Sequence, residues 1–202
     1  MSRRLAQGLD VDLERTPRAA VDAVVALGAN LGRRAETLAA AVKELARLPL
    51  VTEVRVSEPL ETVAMKPDGP DAEAPAYLNA VAVVTTRLAP SVLLGYLHQI
   101  ERGHGRVRET ERSAHEAGWE DRTLDLDLIA YGDVVSDDPA LLLPHPRAAE
   151  RDFVLAPWLA VDPDAVLPGR GRVDELLARL RESAGTGSDV AGAGSAPQGE
   201  DS

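Results

Sequence analysis

The apolar patterns along this 202-residue chain run strand, helix, strand, strand, helix, strand, and that order predicts an α+β sandwich of the split βαβ, ferredoxin-like type. Composition agrees: 45% hydrophobic and 27% charged residues are ordinary for a globular domain, and the length suits one domain with tails. The ends differ from the middle. Thirteen of the twenty residues from Ser183 to Ser202 are Gly, Ser or Ala, a composition that cannot bury enough surface to offset ordering entropy. Residues 1–20 are therefore expected to be a flexible lead-in, 21–180 the folded domain with extra short C-terminal elements, and 181–202 a disordered tail.

The elements follow in order. Ala23–Leu27 is a short apolar run ending in Gly-Ala-Asn, a buried strand and a turn. Leu38, Val42, Leu45 and Leu48 recur at helical spacing until Pro49 stops them. Val54 and Val56 alternate with polar neighbours as a strand does. Residues 58–76 hold four prolines and a glycine and read as a long loop. Tyr77–Thr86 (YLNAVAVVTT) is a strand. Pro90 stands where a helix begins, Leu93, Leu94, Leu97 and Ile100 form its apolar stripe, and Gly103 and Gly105 end it. Thr123–Ile129 alternates strictly as a last strand, and a small helix is expected near Val173–Leu180.

Charge and residue usage exclude several classes of function. The net charge of −11 argues against broad adhesion to nucleic acid or anionic membrane, because phosphate binding needs a basic face. There is no cysteine, hence no disulfide, thiolate metal site or cysteine nucleophile. The longest uncharged stretches, 74–86 and 88–100, fall short of the roughly 20 apolar residues a membrane helix needs. The N-terminus lacks the apolar core of a secretory signal. A soluble cytoplasmic protein is expected.

The most informative segment is Arg122-Thr123-Leu124-Asp125-Leu126-Asp127-Leu128-Ile129. On a strand Leu124, Leu126 and Leu128 share one face, and Asp125 and Asp127 share the other with Cα atoms roughly 6.5–7 Å apart. A generic amphipathic strand explains that pattern. Asp is nevertheless disfavoured in strands, and two adjacent like charges repel unless a divalent cation such as Mg²⁺ relieves them. Arg106, Arg108, Arg112 and Arg122 lie in or beside the preceding loop. A solvated loop is the plain explanation, since 101–127 holds eight acids against five arginines. Beside the carboxylate pair, the same arginines suit a polyphosphate–Mg²⁺ site. Pro144-His145-Pro146-Arg147 fixes the backbone around one imidazole, which can be structural or functional. Arg151 and Phe153 read either as a rim charge and a core aromatic or as a stacking platform for a flat ligand. Gly28-Ala29-Asn30-Leu31-Gly32 matches neither the Walker A nor the G-x-G-x-x-G pattern and reads as a tight turn.

Taken together, ALGANLG (26–32), YLNAV (77–81), IERGHGRVR (100–108), RTLDLDLIAYG (122–132) and LPHPRAAERDFVLAPW (143–158) strongly resemble the 6-hydroxymethyl-7,8-dihydropterin pyrophosphokinase family of the folate pathway, in the family's order and over about 23–165. The resemblance implies a ferredoxin-like fold and transfer of pyrophosphate from ATP to the pterin hydroxymethyl oxygen, with AMP leaving. It implies that Asp125 and Asp127 hold two Mg²⁺ ions, and that Arg106 and Arg122 act on the phosphates as catalytic residues together with that pair. His145, Arg151 and Arg108 would also serve ATP, with Glu101 and Leu128 lining its nucleotide side. Asn79 would hydrogen-bond the pterin edge, Tyr77 and Phe153 would sandwich its ring, Thr62 would fall in the loop that touches it, and Trp119 would match a lid tryptophan. A monomer is expected, with ATP and the pterin as its partners. The chain departs from the family pattern over 62–76 and in its longer 109–121 loop.

Two other classes compete. A ferredoxin-like module that binds nucleotide without chemistry needs the phosphate site but not the paired aspartates. An RNA-binding sheet needs exposed aromatics and a basic face, against 3% aromatics and a charge of −11 here.

Overall fold

The computed structural model describes residues 12–66, 69–71, 75–105 and 123–186. Strand β1 (Val21–Ala29) is followed by helix α1 (Arg34–Leu45) and strand β2 (Val51–Val56). Three short strands come next, β3 (Leu60–Thr62), β4 (Ala64–Lys66) and β5 (Gly69–Asp71), then the long β6 (Tyr77–Thr86), helix α2 (Pro90–Gly103) and β7 (Asp125–Tyr131). A 3-10 turn (Ala148–Glu150) leads into α3 (Asp152–Val161), the small β8 (Val166–Leu167) and β9 (Gly171–Arg172), and α4 (Val173–Thr186).

The main sheet has the antiparallel order β2-β6-β1-β7, with β3 beside the start of β6. This is the ferredoxin-like order expected from the element sequence. Ser57 continues the ladder between β2 and β3: its N–H donates to the Val81 carbonyl at 2.9 Å, and its Oγ accepts from the Val81 N–H at 3.1 Å. The stretch read as a long loop thus contains β3 and a β4–β5 hairpin, in which Pro70 occupies a strand position away from the main sheet.

One face of the sheet packs Val25, Leu27, Ala82, Val84 and Leu126 against Leu38 and Leu45 of α1 and Leu93 and Leu97 of α2. Each such leucine, fully buried, contributes about 1.5–3 kcal/mol. The opposite face packs Val24, Val81, Val83 and Ile129 against Val154, Leu155 and Trp158 of α3 and Val173 and Leu177 of α4. The C-terminal elements therefore form a complete third layer. The reason lies in β1 and β6, where Ala23–Val25 and Ala80–Val84 are buried at every position, so both sheet faces need cover.

Several boundaries differ from the sequence reading. Helix α1 ends at Leu45, before Pro49, and Leu50 takes a positive φ in the turn that follows. Gly28 and Ala29 belong to β1, and the turn begins only at Asn30. Helix α4 runs to Thr186, past position 180. Leu13, inside the lead-in, is buried in the α1–α2 layer, and its carbonyl accepts from the Ser91 N–H and Oγ at 3.2 and 3.0 Å. It thereby satisfies a free N–H in the first turn of α2, where Ala89 offers no side-chain cap.

Candidate active site

Residues paired directly across a sheet point to the same face. Gly28 of β1 pairs with Asn79 of β6 on one side and Asp125 of β7 on the other, and Ala26 pairs with Val81 and Asp127. Asp125, Asp127, Asn79 and Tyr77 therefore share the face covered by α3, in adjacent rows. Two strand spacings put the Cα atoms of Asp125 and Asn79 roughly 9–10 Å apart.

The acidic half sits on an edge strand that is held from several sides. Glu101, on the last turn of α2, is buried at 1% exposure, and its Oε1 accepts from the Leu126 N–H at 3.0 Å. Expected to line the nucleotide side, this carboxylate holds the strand between the two aspartates. The Ile129 carbonyl accepts from the His145 N–H at 2.8 Å, tying the Pro-flanked turn to the same edge. At the far end the Tyr131 hydroxyl donates to the Leu88 carbonyl.

Arg151 and Phe153, separated in sequence from the acidic strand, arrive beside it at the start of α3. Arg151 Nη1 lies 2.9 Å from Asp127 Oδ2, and the guanidinium carbon lies 5.8 Å from the Phe153 ring centroid. A single cation thus lies against both Asp127 and the aromatic. His145 accepts the Arg147 N–H at Nδ1, 3.2 Å away, so a neutral imidazole carries its proton on Nε2. Burial pushes the His145 pKa below its ordinary value, an effect that Asp127 and Asp125 oppose and Arg151 and Arg147 reinforce. A cavity of about 390 Å³ adjoins this group, lined among others by Leu94, His98, Asp127, Leu128, Leu141 and His145. Leu128, expected to line the nucleotide side, is among its lining residues. His98 and Leu141 were missed by the sequence reading, although His98 follows Leu94 at the i,i+4 spacing that puts both on one helical side.

The neutral half is built from mutual hydrogen bonds. Asn79, 7% exposed, donates from Nδ2 to Thr62 Oγ1 at 2.7 Å, and Thr62 pairs with Tyr77 across β3 and β6. A Cβ at Gly28 would come within 3.1 Å of Asn79 Oδ1. Gly28 is therefore required for a close approach inside the sheet and not for a turn. Arg106, Arg108, Trp119 and Arg122 lie outside the described residues.

Among the described residues no group of three or more His, Asp or Glu side chains is gathered as a metal site. The pair Asp125 and Asp127 fits Mg²⁺ bound by one or two carboxylates with substrate phosphates and waters, which needs no all-protein cage. No helix among the described residues is long and apolar enough to cross a membrane.

Residues 24–163 match the family described as 7,8-dihydro-6-hydroxymethylpterin-pyrophosphokinase (HPPK). The chain is 42% identical over 154 residues to a 2-amino-4-hydroxy-6-hydroxymethyldihydropteridine pyrophosphokinase of Pseudomonas aeruginosa, covering 76% of this chain and 88% of that one. It is 36% identical over 162 residues to the protein of the same name from Haemophilus influenzae, covering 80% and 94%. The crystal structure of wild-type Plasmodium falciparum HPPK-DHPS superposes with a TM-score of 0.62 over 88% of this chain at 12% identity, a likeness of fold. This chain spans 48% of that longer one.

Proposed function

The chain belongs to the 7,8-dihydro-6-hydroxymethylpterin-pyrophosphokinase family, and from that premise we propose that it transfers the β,γ-pyrophosphoryl group of ATP to the hydroxymethyl oxygen of 6-hydroxymethyl-7,8-dihydropterin. A bond forms between that oxygen and the β-phosphorus, the bond from the β-phosphorus to the α,β-bridging oxygen breaks, AMP leaves with that oxygen, and the hydroxyl proton is released. The observation that carries the reading is the shared sheet face on which an acidic pair and a hydrogen-bonding amide lie two strands apart. That spacing suits a phosphate chain at one end and a flat heterocycle at the other.

In this reading the residues divide by what they touch. Asp125 and Asp127 hold Mg²⁺, which when bound neutralises phosphate charge and makes the substrate hydroxyl a better nucleophile. Arg151, already on Asp127, lies within reach of a phosphate oxygen brought to that carboxylate, and a guanidinium suits such a contact. His145 offers its Nε2–H as a further donor to phosphate. Arg106, Arg108 and Arg122 are assigned to the phosphates and Trp119 to the substrates by the family resemblance alone. The cavity beside Leu128 receives the base of ATP. Since Leu126 directs its N–H away from β1 to Glu101, Leu128, two residues on, presents its backbone to the same side, where a purine edge can pair with it. Asn79 and Thr62 bind the pterin edge, and Tyr77 and Phe153 flank its ring. Catalysis then rests on positioning and electrostatics, because an alcohol attacking phosphorus needs alignment more than a strong protein base.

Product analysis tests this. Incubation with ATP, Mg²⁺ and the pterin is expected to yield AMP and no ADP, and only when pterin is present. ADP formation would indicate an ordinary kinase. ATP binding by a folded sample without AMP release would leave a binding module.

A further inference from the structure

Arg34 occupies the first position of α1, where the helix dipole disfavours a cation. Its side chain turns away from the helix and bridges two strands. One arm of the guanidinium, Nη1, donates to the Ala76 carbonyl, and Nη2 lies 2.9 Å from Glu61 Oε1. Ala76 and Glu61 immediately precede Tyr77 and Thr62, which are paired across β6 and β3. Glu61 pairs with Leu78, whose side chain packs into the α1–α2 layer. The contact is therefore made from the sheet face opposite Thr62 and Asn79.

We infer that Arg34 is a positioning residue for the pterin end of the site, a clamp that holds β3 in register against β6 from behind. Strand β3 is three residues long and, among the described strands, pairs only with β6, so few backbone bonds fix it. Its placement sets the distance between Thr62 Oγ1 and the Asn79 amide, 2.7 Å here. A planar guanidinium with two diverging arms can grip a carbonyl and a carboxylate at once, which a lysine ammonium cannot do with the same geometry. Arg34 does not face the substrate. It acts through Thr62, Tyr77 and Asn79, and the inference rests on their reading as the pterin site.

The test is steady-state kinetics on the full chain with pterin and ATP varied separately, alongside thermal unfolding. Arg34→Ala is expected to raise the KM for pterin about tenfold, since small misplacements of binding groups are costly, while the KM for ATP and kcat at saturating pterin stay within about twofold. Arg34→Lys should recover part of the loss. Glu61→Gln, which keeps the side-chain shape and removes one charged contact, should raise the pterin KM about threefold without lowering the melting temperature. An unchanged pterin KM in Arg34→Ala overturns the inference. So does a parallel rise in both KM values with a fall in kcat, which would mark a general structural role. Asn79→Ala in the same assay separates the two levels. If it leaves the pterin KM unchanged, the pterin reading falls and the clamp with it. If it raises the KM while Arg34→Ala does not, the clamp alone is wrong.

Discussion

Strands β7 and β6 carry the two halves of the site, and they are supported in opposite ways. On β7 the functional groups are charges on a sheet edge: Asp127 is balanced by Arg151, and the strand is fixed by the buried Glu101 at Leu126 and by His145 at Ile129. On β6 the groups are neutral and central, and Asn79 is held by Thr62 with Gly28 leaving it room. Two carboxylates on neighbouring positions of one sheet face repel each other, and the proposed Mg²⁺ would relieve that repulsion. The β6 groups satisfy one another, so their arrangement is already made before any ligand arrives. The acidic half should therefore show its value in turnover and the neutral half in affinity.

The largest expected effect breaks the acidic half. Asp127→Ala should lower kcat by about 10³-fold, the scale for removing a group that stabilises charge at the reacting centre. Because the pair with Arg151 is partly solvated, the same change should alter unfolding free energy by less than about 1 kcal/mol. Turnover measured at saturating ATP, pterin and Mg²⁺, beside urea unfolding, checks both halves of this expectation. Near-normal turnover would remove Asp127 from the metal site.

How much of this was legible in the sequence follows the same division. The acidic pair declares itself because a strand has period two, so D-x-D between leucines must put both carboxylates on one face. The sheet order followed from the element order, and the stripe of α2 from its spacing. Gly28 did not declare itself, because its reason is a neighbour 51 positions away: the register that sets it beside Asn79 is a property of strand pairing. Helix α3 escaped for a different cause. DFVLAPWLAV is apolar on nearly every side and contains Pro157, so it shows neither a helical stripe nor a clean helical run, and only the bare second face of the sheet demands it. Leu13 was unreadable among charged neighbours, although it is buried.

An intermediate effect sharpens the neutral half. Gly28→Ala places a methyl 3.1 Å from Asn79 Oδ1, and the amide must shift by a few tenths of an ångström or turn away from Thr62. Its backbone lies within β1, so the substitution adds no positive-φ strain. The KM for pterin should rise about three- to tenfold with kcat nearly unchanged, because displaced binding groups lose affinity while the phosphate end is untouched. A loss of kcat equal to that in Asp127→Ala would erase the distinction between the halves.

The smallest effect concerns the anchor of β7. Tyr131 is 3% exposed, its hydroxyl donates to the Leu88 carbonyl, and burial pushes its pKa up to about 12 from 10.0. Below pH 10 the phenol is neutral in both folded and unfolded chains, and its contribution is fully present. Between pH 10 and 12 the unfolded chain releases the proton while the folded one retains it, so unfolding is favoured as pH rises and the contribution is lost. Tyr131→Phe removes that linkage together with a hydrogen bond worth about 1 kcal/mol. At pH 8 the variant should be the less stable of the two by about that amount. By pH 11 the difference should shrink or change sign, because only the parent carries the phenol. Tyr77 and Tyr96 are present in both proteins, so their titration cancels in the comparison. Urea unfolding of both proteins at the two pH values reads the result. A gap independent of pH would mean that the phenol at the end of β7 releases its proton as readily in the folded chain as in the unfolded one, and would overturn the effect assigned to its burial.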